Sequence, residues 1–140
     1  SMNQYTSCRY NCFYCFLQAT YRAVRPFVCA YVMVLPKLEK EIRRAFPADH
    51  GQVVISAGEM SEPLGGDFLG QMPRIVEMFG NIENTKLLLL TKSGYDEIAP
   101  LLDVNHNGHT ITSWSVTCQE VVNLYEHGNE SIANRLCSLN

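Results

Sequence analysis

Short runs of apolar residues alternate along the chain with segments that are apolar on one side only. The runs are rich in β-branched and aromatic residues, and they predict strands over residues 27–35, 52–57, 86–91 and 110–116. The segments between them have apolar residues at helical spacing, and they predict helices over residues 15–22, 37–46, 69–79, 95–102, 119–125 and 131–136. Residues 47–51 and 105–108 predict turns, and Gly80 is expected to close the third helix.

The predicted strands carry apolar residues on both faces, as parallel strands covered by helices do. Strand and helix alternate without an internal repeat, so the predicted fold class is α/β with a parallel sheet, in one domain over residues 1–140. In such sheets the functional residues lie in the loops that follow the strands. Three such positions carry distinctive residues: Gly58-Glu59, Thr91-Lys92-Ser93 and Ser113-Trp114-Ser115. A site at the carboxyl edge of the sheet is therefore predicted.

Composition and charge exclude some classes of protein. The 140 residues are 46% hydrophobic, which is enough to bury a core. The formal net charge of -3 is not typical of a dedicated nucleic-acid-binding module, which carries excess positive charge. No apolar run reaches the roughly 18–20 residues that a transmembrane helix needs. A cytoplasmic chain that does not span a membrane is expected. Ser1-Met2 is interpreted as a tag remnant ahead of a start methionine.

Three of the six cysteines stand close together, Cys8, Cys12 and Cys15, in a C-x3-C-x2-C pattern. Clustered thiols in a cytosolic chain are more typical of a metal site than of a disulfide. The other three cysteines are scattered and are interpreted as small buried side chains: Cys29, Cys118 and Cys137.

The spacing leaves the identity of the metal open. Zinc in a closed structural site takes four ligands, so the cluster is one ligand short, and Cys29 or His50 would have to supply the fourth. A cubane iron–sulfur cluster is normally held by four thiolates. With only three, one iron keeps an open position at which a substrate or cofactor can bind.

The cysteine pattern, with an aromatic residue before its last cysteine, resembles the cluster loop of the radical S-adenosylmethionine superfamily. Within it, the chain resembles the spore photoproduct lyase branch through the segments CFYCFLQ, LLLLTKSG and SWSVTCQEVVNLYEHGNESIANRL. The resemblance covers the chain from Ser7 to Leu136. It implies a partial TIM-barrel-like fold and a 4Fe–4S cluster that reductively cleaves S-adenosylmethionine to a 5'-deoxyadenosyl radical.

The resemblance also implies roles for single residues. Cys8, Cys12 and Cys15 would bind the iron atoms. Tyr14 would lie beside the adenine of S-adenosylmethionine, with core packing as the alternative. Gly58-Glu59 matches a Gly-Glu element whose carboxylate accepts a hydrogen bond from the amino group of the cofactor.

The carboxylate of S-adenosylmethionine would have its own partners. Lys92 and Ser115 are the candidates, because an ammonium and a hydroxyl suit a compact anion. Ser113 shares a strand face with Ser115 and is placed near it.

Two departures from the lyase branch bear on function. Glu59 stands where the branch has the cysteine that returns a hydrogen atom to the repaired thymine, so clean repair of that photoproduct is not expected. Thr117-Cys118 replaces the usual Asn-Pro, which weakens a contact on the ribose side.

The superfamily barrel has more strands than this chain predicts, so we expect either self-association or a piece of a longer gene product. Two function classes follow. One is a radical S-adenosylmethionine enzyme core that acts on an unknown substrate, with DNA implied only by family analogy and a flavodoxin or ferredoxin as reductant. The other is a non-catalytic α/β fragment that binds an iron–sulfur cluster, zinc or no cofactor.

Overall fold

The computed structural model describes residues 2–3, 5–6, 8–19, 29–65, 67 and 69–139. In that part of the chain, no helix is long and apolar enough to cross a membrane. The strands are β1 (Tyr5–Thr6), β2 (Asn11–Cys12), β3 (Cys29–Ala30), β4 (Val53–Ala57), β5 (Thr85–Thr91), β6 (Thr110–Trp114) and β7 (Glu126–His127). The α-helices are α1 (Leu35–Ala45), α2 (Met72–Gly80), α3 (Tyr95–Ile98), α4 (Gln119–Tyr125) and α5 (Ile132–Cys137).

A three-stranded parallel sheet of order β4-β5-β6 forms the centre of the fold, which confirms the mixed α/β class. Leu87 and Leu89 of β5 are fully buried, and they belong to the same core as Ile75 and Phe79 of α2. Burying a side chain of this size contributes about 1.5 to 3 kcal/mol. The sheet is therefore fixed from its helical side, and its strand ends are rigid supports for the loops that follow.

The opposite face of the sheet is not covered in the same way. Val54, Leu90 and Ile111 point to that side and remain 51%, 39% and 39% exposed. The expectation that helices cover the strands on both faces is wrong for the described residues, where helices cover one face of the sheet. Self-association stays a prediction.

The predicted strand over residues 27–35 is wrong as a member of the parallel sheet. Residues 27–28 lie outside the described residues, and β3 pairs antiparallel with β1. The backbone at Tyr31 and Met33 is instead bonded by one side chain. Gln71 Nε2 donates to Tyr31 O at 2.9 Å, and Met33 N donates to Gln71 Oε1 at 2.6 Å. The Gln71 amide thus takes the hydrogen bonds that a neighbouring strand would make.

Three predicted helices differ most from those observed. The helix predicted over 15–22 is a 3-10 turn at Phe16–Gln18, and residues 20–22 lie outside the described residues. The helix predicted over 69–79 begins at Met72, because both Asp67 carboxylate oxygens accept backbone N–H groups at its start. It includes Gly80, and Asn81 is its C-cap. The helix predicted over 95–102 changes to a 3-10 turn at Ala99–Leu101, where proline lacks an N–H donor.

Candidate functional site

A cavity of about 380 Å³ opens at the carboxyl ends of β4 and β5, where the cysteine loop (residues 8–15) meets the sheet. The cysteine loop, the loop after β4, the end of β5 and the residue after β6 all contribute to its wall. The lining residues are Cys8, Tyr10, Cys12, Tyr14, Cys15, Phe16, Leu17, Gly58, Glu59, Ser61, Glu62, Leu90, Thr91, Lys92 and Ser115. The predicted convergence of loops at the carboxyl edge of the sheet is thus observed.

Eight of the nine predicted site residues line this one cavity. They are Cys8, Cys12, Cys15, Tyr14, Gly58, Glu59, Lys92 and Ser115. Ser113 is not among the lining residues. It lies within β6, two residues further from the carboxyl edge than Ser115, whose backbone N–H donates to Thr91 O at 2.9 Å.

The three clustered cysteines lie on the cavity wall. Cys12 is buried, and Cys8 and Cys15 are half-buried. The loop between them is tightly folded, because Cys15 N donates to Cys12 O at 3.1 Å and Gln18 Nε2 donates to the same oxygen at 3.1 Å. Cys12 also pairs with Glu126 across the short β2–β7 ladder. The middle cysteine is therefore held both by bonds within the loop and by the β2–β7 ladder.

A buried network of charged side chains lies next to Cys12. Glu126 is fully buried, and its two oxygens bind different cations: Lys92 Nζ at 2.5 Å and Arg135 Nη2 at 2.6 Å. The Tyr14 hydroxyl donates to Glu126 as well and accepts from Lys92 Nζ at 2.7 Å. Lys92 Nζ also lies 3.7 Å from Cys12 Sγ. One carboxylate thus holds two cations, and the more exposed cation faces the thiols.

Ionisation in this network follows its hydrogen bonds. Burial alone would raise the pKa of Glu126, but bonds from Lys92, Tyr14 and Arg135 outweigh burial and lower that pKa. Burial alone would lower the pKa of Lys92, but its bonds to Glu126 and Tyr14 raise it. Burial and the bond to Glu126 raise the pKa of the Tyr14 hydroxyl. Lys92 therefore remains an ammonium and Tyr14 a neutral phenol at neutral pH.

Sequence reasoning missed the anchors of this network. Arg135 is fully buried, with Nη1 donating to Ser115 O at 2.9 Å and Nε to Glu130 O at 3.0 Å. In the sequence it looks like an ordinary charge on an amphipathic helix. Glu126 had a usable signal, because it lies in the segment SWSVTCQEVVNLYEHGNESIANRL, on which the family resemblance rests.

A second buried carboxyl group lies under the cavity. Glu62 accepts hydrogen bonds from the Thr91 hydroxyl, from the Gly65 N–H and from Ser93 Oγ, the last at 3.0 Å. Ser93 Oγ is also 3.0 Å from the Tyr10 hydroxyl. Burial outweighs these bonds and raises the pKa of Glu62, and burial likewise raises the pKa of Tyr10. The floor of the cavity therefore joins the cysteine loop to the sheet through hydrogen bonds rather than ion pairs.

The raised pKa of Glu62 sets a pH dependence of stability. Between the ordinary pKa of a glutamic acid and the raised folded-state pKa, the folded chain holds a proton that the unfolded chain has released. This stabilisation is complete below the ordinary pKa and is lost as pH rises through the folded-state pKa. We expect Glu62→Gln to remove that decline from the free energy of unfolding, measured by urea unfolding of the apoprotein from about pH 4 to about pH 8.

The matched control for Glu62 is Glu41→Gln, since Glu41 lies exposed on α1. That variant should keep the decline of the parent chain. An unchanged pH dependence in Glu62→Gln would contradict the raised pKa. Tyr10, the other titratable group on this network, does not interfere, because its pKa is raised well above the range measured.

Two glycines lie where a side chain would clash with neighbouring atoms. A Cβ on Gly58, whose φ is 107°, would lie 2.7 Å from Pro63 and 2.8 Å from Leu90 O. A Cβ on Gly65 would lie 2.6 Å from the Tyr10 hydroxyl. Gly58 lines the cavity and Gly65 packs against the lining residue Tyr10, so the shape of the cavity depends on glycine at both positions.

The donor set fits an iron–sulfur cluster. Three thiols on one wall are the soft ligands that such clusters take, and the ammonium of Lys92 lies beside them. In the described part of the chain, no group of three or more His, Cys, Asp or Glu side chains is placed to hold a single metal ion. A cubane does not need such convergence, because each thiolate binds a different iron atom.

Comparisons with known proteins agree on one family. The chain matches the family described as spore photoproduct lyase over residues 2–139. It is 29% identical to the spore photoproduct lyase of Clostridium acetobutylicum and 30% identical to that of Bacillus subtilis, each over 135 residues. Each alignment covers 94% of this chain and 38% of the relative, so the chain spans about two fifths of the length of these curated relatives.

Solved structures show the same similarity. A mutant spore photoproduct lyase with bound AdoMet and dinucleoside spore photoproduct superposes with a TM-score of 0.86 at 26% identity, over 99% of this chain and 40% of that one. Spore photoproduct lyase complexed with dinucleoside spore photoproduct gives a TM-score of 0.85 at 26% identity, over 96% and 39% of the two chains.

Proposed function

Because the chain belongs to the spore photoproduct lyase family, we propose that it binds a 4Fe–4S cluster and S-adenosylmethionine as the core of a radical S-adenosylmethionine enzyme. The observation that carries this proposal is the placement of Cys8, Cys12 and Cys15 on one cavity wall, with the Lys92 ammonium beside them. When bound, the cluster supplies one electron that cleaves the cofactor and leaves a 5'-deoxyadenosyl radical. A flavodoxin or ferredoxin is the class of protein that would supply this electron.

The chain's own residues would divide the binding of S-adenosylmethionine between them. Glu59 lies exposed on the cavity wall, where its carboxylate can accept a hydrogen bond from the amino group of S-adenosylmethionine. Ser115 and Lys92 lie on the β5–β6 side, where a hydroxyl and an ammonium can donate to the carboxylate. Ser113 lies away from the lining, so the structure favours Ser115 over Ser113 for this contact.

Lys92 has to change partners to take that role. An ammonium has three N–H donors, and Lys92 Nζ already bonds to Glu126, to the Tyr14 hydroxyl and to Cys12 Sγ. The contact to Cys12 is the longest, at 3.7 Å, and is the first that an incoming carboxylate would replace. Glu126 would meanwhile hold the ammonium at the cavity wall.

The substrate class follows from the relatives by analogy alone. The two superposed lyases were solved with dinucleoside spore photoproduct, a DNA-derived molecule. A related nucleobase lesion is the substrate class that we propose for this chain. Glu59, which replaces the hydrogen-donor cysteine of the branch, has no S–H bond, so we do not propose clean reversal of that photoproduct to two thymines.

The test is a reaction of the anaerobically loaded, dithionite-reduced chain with S-adenosylmethionine, with and without a spore photoproduct dinucleotide. We expect chromatography to show 5'-deoxyadenosine and little or no repaired dinucleotide. Ser115→Ala should weaken binding of S-adenosylmethionine, and the matched Ser113→Ala should not.

The outcomes separate the two function classes. A loaded chain that neither binds nor cleaves S-adenosylmethionine would leave the non-catalytic metal-binding alternative. Efficient release of repaired dinucleotide would instead show that another group donates the hydrogen atom, and would overturn the assignment of Glu59 as the disabling replacement.

A further inference from the structure

The turn that follows α4 brings one amide side chain against the middle cysteine. Cys12 pairs with Glu126 in the β2–β7 ladder, and Gly128, with φ of 81°, lets the chain turn back toward Cys12. Asn129 is then held by two bonds to one oxygen: its backbone N–H and its Nδ2 each donate to Glu126 O at 3.2 Å. From this position Asn129 Nδ2 also donates to Cys12 Sγ at 3.2 Å.

The orientation of the Asn129 amide is fixed by its acceptors. Nδ2 faces a carbonyl oxygen and a sulfur atom, and a flipped amide would place Oδ1 against both. This orientation has a cost in free energy, because Oδ1 is buried and has no hydrogen-bond partner among the described residues. The side chain is thus oriented so that its Nδ2 donates a hydrogen bond to the sulfur of Cys12.

A hydrogen bond to a cluster-ligating sulfur stabilises the reduced state of an iron–sulfur cluster. The N–H donor withdraws electron density from the thiolate, and such bonds are among the features that set the reduction potential. Lys92 Nζ is the second donor near Cys12 Sγ, at 3.7 Å, and S-adenosylmethionine would draw that ammonium away. Asn129 is neutral, lies outside the residues that line the cavity and keeps its bond when the cofactor binds.

We propose that Asn129 is a positioning and tuning residue, whose side-chain N–H bond to the sulfur of Cys12 raises the reduction potential of the cluster. The inference rests on the proposed function, since it requires a cluster at Cys12. It explains why a turn far from the cysteine loop in sequence is tied to that loop by a two-residue ladder.

The experiment is a redox titration of the anaerobically reconstituted full chain, followed by electron paramagnetic resonance. Asn129→Ala should shift the midpoint potential to a more negative value at unchanged iron content. Asn129→Asp keeps the size and turn preference of the side chain, replaces the donor with an acceptor, and should shift the potential further in the same direction.

Two control variants separate tuning from loosening of the loop. Asn123→Ala removes an exposed asparagine of α4 that bonds only to Gln119 among the described contacts, and should leave the potential unchanged. Gln18→Ala removes a bond to the backbone oxygen of Cys12 and spares its sulfur, so a shift equal to that of Asn129→Ala would overturn the proposal. An unchanged potential in both Asn129 variants would also overturn it, while the proposed function stands. A parent chain that takes up no cluster would overturn both.

Discussion

Replacing Cys8, Cys12 or Cys15 with alanine is expected to remove most of the iron that the parent chain takes up on anaerobic reconstitution. Each cysteine lies on the same cavity wall, and a three-thiolate site has no spare ligand. The parent chain should hold about four irons, and each single variant should hold only a small part of that, measured by iron and acid-labile sulfide analysis. Cys12→Ala should have the largest effect, because Cys12 is the buried member of the set.

The other cysteines provide the matched control. The interpretation of Cys118 and Cys137 as small buried side chains is wrong, because both are exposed. Cys118→Ala and Cys137→Ala replace thiols away from the cavity and should leave the iron content near that of the parent. The same result is expected for Cys29→Ala, a position whose side chain lies outside the described part of the structure. Equal loss of iron in all six variants would contradict a site at the cysteine loop and would indicate general misfolding.

Glu126→Gln is expected to lower the free energy of unfolding of the apoprotein by roughly 3–5 kcal/mol. The Glu126 and Arg135 side chains are 1% and 0% exposed, and Lys92 is 19% exposed. Removing the carboxylate charge leaves the Arg135 guanidinium buried without its counter-ion, although its bonds to backbone oxygens remain. Urea unfolding at neutral pH, with the midpoint and slope fitted together, measures the change.

An exposed ion pair of the same chemistry supplies the comparison. Glu39 and Arg43 lie one turn apart on α1 at 2.8 Å, with side chains 37% and 48% exposed. Solvent screens such pairs, so Glu39→Gln should cost about 0.3–0.5 kcal/mol. If the two glutamine variants lowered the free energy of unfolding by the same small amount, Glu126 would not be the anchor of the buried network.

The parts of the fold that were predictable from sequence are those fixed by local pattern. The apolar runs at β4 and β5 and the amphipathic segment at Gln119–Tyr125 gave strand and helix positions within one residue of those observed. The cavity was predictable for a related reason. Parallel strands bring their carboxyl ends to one edge, so Glu59 and Lys92 had to lie near each other once the strands were assigned.

The parts that were not predictable depend on side chains from distant segments. Glu126 and Lys92 are 34 residues apart, and nothing in the local pattern around either residue indicates that their side chains pair. The strand predicted at 27–35 failed because Gln71, 38 residues beyond Met33, bonds its backbone. Glu62 lies in a loop whose composition indicates exposure, yet three donors and burial hold it under the cavity. Local pattern contains no information about such partners.

The central claim is that three cysteines hold a cluster with an open iron that binds S-adenosylmethionine. Electron paramagnetic resonance of the reconstituted, reduced parent chain tests it most directly, recorded before and after S-adenosylmethionine is added. We expect a signal from a reduced 4Fe–4S cluster that changes when S-adenosylmethionine is added, because the cofactor would bind the open iron. A chain that takes up zinc but no iron, or a cluster signal that S-adenosylmethionine leaves unchanged, would contradict it.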